Sequence, residues 1–190
     1  DNPALPSSWS PDGKLVAFDQ VGGQNKNGAL WLLPLSGEHK AYRLHPAAEA
    51  NETNGSFSPD GRWFSYQSNE SGQDEVYVVP FPGPGGRWQI SQGASGGGWH
   101  GKSQISWTTP EWRVMVATVN TMGQDLKLGP PQPLFGGKTL PEMMGANPGV
   151  GLSGDFTREG KRMLLAIPVT EHAANPFLTL VSNWTAELKK

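Results

Sequence analysis

Four histidines, His39, His45, His100 and His172, are the residues of this 190-residue chain best suited to proton transfer or metal binding. No two of them have the His-x-x-x-His spacing that sets a pair of ligands on one helix face, and no His-Glu-x-x-His run occurs. The chain lacks cysteine, which excludes disulfides, thiol nucleophiles and thiolate zinc sites. A Ser-His-Asp centre would need a nucleophile elbow between strand and helix, and no Gly-x-Ser-x-Gly of that kind is legible. What remains is Glu52, Asn54, His100 and Asp155, with His45 behind them. Glu52, His100 and Asp155 would form a His/carboxylate set suited to a divalent metal such as zinc, calcium or manganese. Such a metal would polarise an ester, lactone or phosphotriester and activate a water. The plainer reading makes Glu52 and Asn54 loop residues that tie one structural unit to the next. His39 and His172 stand in polar loop sequence and read as solvated.

The elements that would position these residues follow from composition. Twenty-five glycines and 17 prolines are about twice average usage and break long helices. Eight Trp, seven Phe and three Tyr still provide a core, so the chain is not disordered. The expectation is an all-β fold with many turns. A net charge of −2 gives no sign of a basic nucleic-acid surface, and no apolar run is long enough for a membrane-spanning helix. The chain opens at Asp1 without a signal peptide, which reads as a processed, trimmed or excised product.

The chain repeats itself. Trp9-Ser10-Pro11-Asp12-Gly13-Lys14 returns 48 residues later as Phe57-Ser58-Pro59-Asp60-Gly61-Arg62, and more weakly as Phe156-Thr157-Arg158-Glu159-Gly160-Lys161. Ala29 to Leu35 matches Glu75 to Phe81, and Tyr42-Arg43-Leu44 matches Trp88-Gln89-Ile90, both at an offset of 46. Ser-Pro-Asp-Gly is a tight turn, with Pro presetting φ, Asp accepting local hydrogen bonds and Gly adopting the left-handed conformation. Strands flank each turn, and two more follow, giving four short strands in about 46 residues: the pattern of a propeller blade. In the third unit Trp99-His100-Gly101-Lys102 stands where the turn belongs. Its strands are expected at Gln104 to Trp107, at Trp112 to Val119 and near Leu134. The fourth has strands at Met163 to Ile167 and Phe177 to Val181, after a long loop from Gly136 to Gly154, and ends in a short helical turn.

These units resemble the TolB-like, WD-type propeller repeat of bacteria. More narrowly, Asn51 to Gly55, Tyr66 to Gly72, Glu75 to Pro82 and the tail Asn183 to Lys190 resemble the C-terminal propeller of bacterial eukaryotic-like serine/threonine protein kinases, although no kinase motif is present. The resemblance implies a sensory or interaction domain, often extracytoplasmic in that family; the compartment of this chain stays open. It also implies more blades than 190 residues supply. The single domain, 1–190, divides into blades at about 1–45, 46–93, 94–136 and 150–183, a partial β-propeller reading as the last four blades of a larger one. Such an arc would be completed by oligomerisation, with a homodimer favoured. Its innermost strands would line a channel with Ser7 and Ser8, Asn51 to Ser56, Ser95 to Gly98, and Leu152 to Asp155. Two functions follow. One is a binding module for a small molecule, a peptide or another protein, with no nucleic acid and no membrane insertion. The other is a metal-dependent hydrolase with its site in the channel or dimer cleft.

Overall fold

The computed structural model describes residues 3–22, 27–46, 49–122, 125–139 and 142, with the strand segments Gly154–Phe156, Met163–Leu165 and Leu180–Val181. The first blade is β1 (Ala4–Trp9), β2 (Leu15–Gln20), β3 (Ala29–Pro34) and β4 (Tyr42–Arg43). The second is β5 (Glu52–Phe57), β6 (Trp63–Ser68), β7 (Glu75–Pro80) and β8 (Trp88–Gln89). Each is an antiparallel sheet whose strands neighbour one another in chain order. The third blade holds β9 (Ser95–His100), β10 (Gln104–Thr108), β11 (Val114–Met122), β12 (Asp125–Leu128) and β13 (Gln132–Pro133), with β12 and β13 both pairing β11. A single 3-10 turn, Phe135–Gly137, follows. Strands β14 (Gly154–Phe156), β15 (Met163–Leu165) and β16 (Leu180–Val181) form a further antiparallel sheet. The architecture is all-β, a partial β-propeller.

The repeated turn is closed by its own side chains. Ser10 Oγ donates to Asp12 Oδ1 at 2.7 Å and accepts from the Leu15 backbone N–H at 2.9 Å. Asp12 Oδ1 accepts from the Lys14 N–H at 3.1 Å. The second blade reproduces this: Ser58 Oγ to Asp60 Oδ1 at 2.7 Å, Trp63 N–H to Ser58 Oγ at 2.9 Å, and Arg62 N–H to Asp60 Oδ1 at 3.1 Å. Gly13 (φ 74°) and Gly61 (φ 70°) supply the left-handed residue each turn requires. The third blade does without the motif. His100 pairs directly with Gln104, and the loop Gly101-Lys102-Ser103 closes the hairpin.

Alternation along β2 and β3 sorts side chains onto two faces. Ala17, Leu30 and Leu32 point to blade two, where they meet Phe57, Phe64, Tyr66 and Tyr77 in one core. On its far side blade two sends Trp63, Val76 and Val78 into a second core with Ile105, Trp107, Ala117 and Val119 of blade three. Blade two is therefore sandwiched, and every residue of β6 is buried. Gly55 marks a close approach of the first two blades. A Cβ there would lie 2.7 Å from both Leu30 Cδ2 and Phe64 Cζ.

Three local features depart from the sequence expectation. Trp112 sits in the turn before β11 with φ 64°, so that strand starts at Val114 rather than at Trp112. Residues Asp125–Leu128, unassigned by pattern, fold back on the end of β11. His100 closes the inner strand instead of standing in the turn. Most of the Gly136 to Gly154 loop, His172 and the expected C-terminal helical turn lie outside the described residues.

Candidate functional site

The inner strands β1, β5 and β9 lie side by side and line an open cavity of about 430 Å³. Its polar wall is Ser7, Asp19, Asn54, Ser56 and His100, with Trp99 beside them and Gly97 and Gly98 adding bare backbone. Each inner strand is bulged here, as the pairing registers shift at Ser7, at Asn54–Gly55 and at Gly96. Bulges re-aim side chains and backbone groups out of the ladder. Asn54 takes the left-handed conformation (φ 56°), which Asn tolerates better than most residues.

Two repeat-equivalent clamps hold these bulges. Asp19 Oδ2 accepts from the Asn54 backbone N–H at 2.8 Å, joining blade one to blade two. Gln67, 48 residues after Asp19, accepts from the Gly96 N–H at 2.7 Å through Oε1, joining blade two to blade three. The same Oε1 accepts from Asn54 Nδ2 at 2.9 Å, so a continuous polar chain runs across all three blades. Asp19 is the charged member. Burial pushes its carboxyl above the usual range, and hydrogen bonds from Asn54 and Ser7 do not overcome that. Its Oδ1 is buried and makes no hydrogen bond.

The sequence candidates divide between two places. Asn54 and His100 both line the cavity. His100 Nε2 contacts Ser106 Oγ on the neighbouring strand. Glu52 begins β5, is 2% exposed and does not line the cavity. His45 Nδ1 donates to Glu52 Oε1 at 2.7 Å, while Oε2 is buried without a partner. The His45 ring lies 5.0 Å from that of buried Tyr66, so this pair ties the loop after β4 to the next blade. The Asp155 backbone belongs to β14; its side chain lies outside the described residues. Among the described residues no three of His, Asp and Glu stand close enough to share a metal ion.

Another buried carboxylate, Glu75, is satisfied by Gln73 Nε2 (2.7 Å), the Gly93 N–H (2.8 Å) and Ser91 Oγ, and serves as a structural tie within blade two. Gly93-Ala94-Ser95-Gly96-Gly97 spells Gly-x-Ser-x-Gly but leads into strand β9, not a helix, so it is no nucleophile elbow. A groove of about 650 Å³ lies between the turns of blades one and two, walled by Pro11, Leu15, Tyr42, Phe57 and Phe81.

Sequence reasoning missed Asp19 and Gln67. The available signal was a polar residue kept at one position of an otherwise β-rich strand in both clear repeats.

No protein-family model and no curated protein matches the chain. Solved structures do. The chain is similar to TolB from Acinetobacter baumannii (16% identity, TM-score 0.53, covering 96% of this chain and 44% of that one). It is similar to the β-propeller domain of the Trilobed protease from Pyrococcus furiosus (15%, TM-score 0.51, 93% and 53%). It also matches the Cps50 (Swd1) β-propeller domain from Myceliophteria thermophila (12%, TM-score 0.53, 87% and 49%). The chain thus spans about half the length of the chains it matches. At these identities the likeness establishes the fold, a β-propeller of the TolB and WD type, and function has to be argued from the site.

Proposed function

We propose that this chain is a propeller binding module, and that its binding place is the cavity among the inner strands of the first three blades. The carrying observation is the polar wall of that cavity, where the Asp19 carboxyl stands with Ser7, Asn54, Ser56 and His100. A ligand donor that reaches this carboxyl makes a hydrogen bond to a charged group, worth about 1.5–3 kcal/mol. The ligand class is therefore a small polar molecule or peptide end carrying an N–H or amine donor. A volume of about 430 Å³ suits such a ligand.

The test is ligand-observed NMR with a panel of short peptides and amines, run on the wild-type chain and on Asp19→Asn. Binders should favour donors over matched compounds lacking them, and the variant should weaken them roughly tenfold or more, the loss of one charge-assisted hydrogen bond. Binding that ignores both the donor and the substitution would end this reading.

A further inference from the structure

We infer that the cavity among the inner strands takes a cationic nitrogen group with N–H donors, an ammonium or guanidinium on a short apolar stem, and that Asn54 selects it together with Asp19. This rests on the cavity being the binding place and narrows its ligand from any hydrogen-bond donor to a charged one. The internal repeat carries the argument. Asp19 and Gln67 hold one repeat position, 48 residues apart, and each accepts a backbone N–H from the bulge of the next inner strand. Gln67 does so with a neutral amide, so the clamp itself needs no charge. The carboxylate of Asp19 is surplus to that task, and a half-buried charge is costly unless a counter-charge answers it. Within the chain its donors are neutral, the Asn54 backbone amide and the Ser7 hydroxyl. Asp12, Glu52, Asp60 and Glu70 each meet a basic side chain, Lys14, His45, Arg62 and Arg87 in turn. Among the described residues Asp19 meets none, and no Lys or Arg lines the cavity.

Asn54 adds a second acceptor, and its orientation follows from the same clamp. Gln67 Oε1 accepts the Gly96 N–H, which fixes the oxygen end of that amide. The Asn54 atom 2.9 Å from the same Oε1 has to donate, so it is Nδ2. Asn54 Oδ1 therefore keeps its lone pairs free of any partner among the described residues. Ser7 and Ser56 bring hydroxyls to the wall, Trp99 brings a ring suited to a cation, and Leu5 and Pro6 add apolar surface for a carbon stem. His100 is the one wall residue able to carry positive charge, so the test belongs at about pH 8, where an ordinary imidazole is neutral.

The test is ligand-observed NMR with butylammonium, butylguanidinium, butyltrimethylammonium and pentanamide, which share a stem and differ in charge and donors. Both N–H cations should bind roughly tenfold or more tightly than the amide and the trimethylammonium, the worth of a hydrogen bond between charged groups. Added salt should shrink that advantage. This comparison needs no variant. Asp19→Asn should bring the cations down to the level of the amide. Asn54→Gly keeps the left-handed backbone and the amide that donates to Asp19, and should weaken both cations roughly tenfold with an unchanged circular dichroism spectrum. An amide that binds as tightly as butylammonium would overturn the inference and leave the donor-binding reading standing. Trimethylammonium matching butylammonium, or full cation affinity in Asn54→Gly, would also overturn it. Binding by none of the four, or binding indifferent to Asp19→Asn, would end both readings.

Discussion

Two aspartates at different places in the repeat should respond to pH with opposite signs. Burial works to raise the Asp60 carboxyl, but hydrogen bonds from Ser58 and Arg62 outweigh it and hold the group below 3.8. A carboxyl lowered on folding stabilises the fold above its unfolded value, and that stability is lost as pH falls through the folded one. Asp60→Asn should therefore be less stable than wild type at neutral pH, with the gap closing under acid. Asp19 is raised by burial, so its folded form holds the proton more tightly. Its contribution is fully present below 3.8 and is lost as pH rises through the folded value. Asp19→Asn should match wild type in acid and exceed it at neutral pH. Thermal melts of both variants between pH 3 and 7 check the two signs. A variant that gains stability while losing ligand is the usual signature of a strained binding residue. Only the first of these aspartates was legible in the sequence. Asp60 is held by residues two places away, whereas Asn54, whose amide donates to Asp19, lies in the next blade, 35 residues on. For the same reason Glu52 was identified as a candidate without its contact to His45 being visible.

At the scale of single elements, the turn and the inner strand carry the tightest constraints. Ser58 is 2% exposed, and its hydroxyl bridges Asp60 and the Trp63 amide. Ser58→Ala leaves that buried amide without a partner and should cost about 1–3 kcal/mol in urea denaturation. Gly55→Ala should cost about 1–3 kcal/mol in the same assay, because a methyl there drives into Leu30 and Phe64 across the blade seam. The hairpins of blades one and two were readable because Ser-Pro-Asp-Gly makes its contacts within six residues. In blade three the turn letters are gone and β12 has no repeat counterpart, so only its strand-rich character survived in the sequence. Trp112 illustrates the limit: its residue type favours a strand, yet the backbone bonds of Thr109 to Trp112 and Arg113 hold it in a turn.

Across the whole molecule, cover is uneven. Blade two has a blade on each side, and its β6 is buried throughout, while β1 is mostly exposed. Native-state hydrogen exchange should rank β6 amides slowest and β1 amides fastest, by orders of magnitude, since protection follows burial and the opening each segment requires. The propeller architecture was legible because repeats announce it; which faces remain open was not, since that depends on neighbours outside each unit. The strand order within each sheet carries one more meaning. Strands pair with those made just before them, so a blade completes itself from a short stretch of nascent chain. Contacts of low sequence separation form early, and folding can follow synthesis unit by unit. Blade two, as it emerges from the ribosome, finds the Ala17, Leu30 and Leu32 face of blade one already in place, so each sheet that forms becomes the template on which the next one packs.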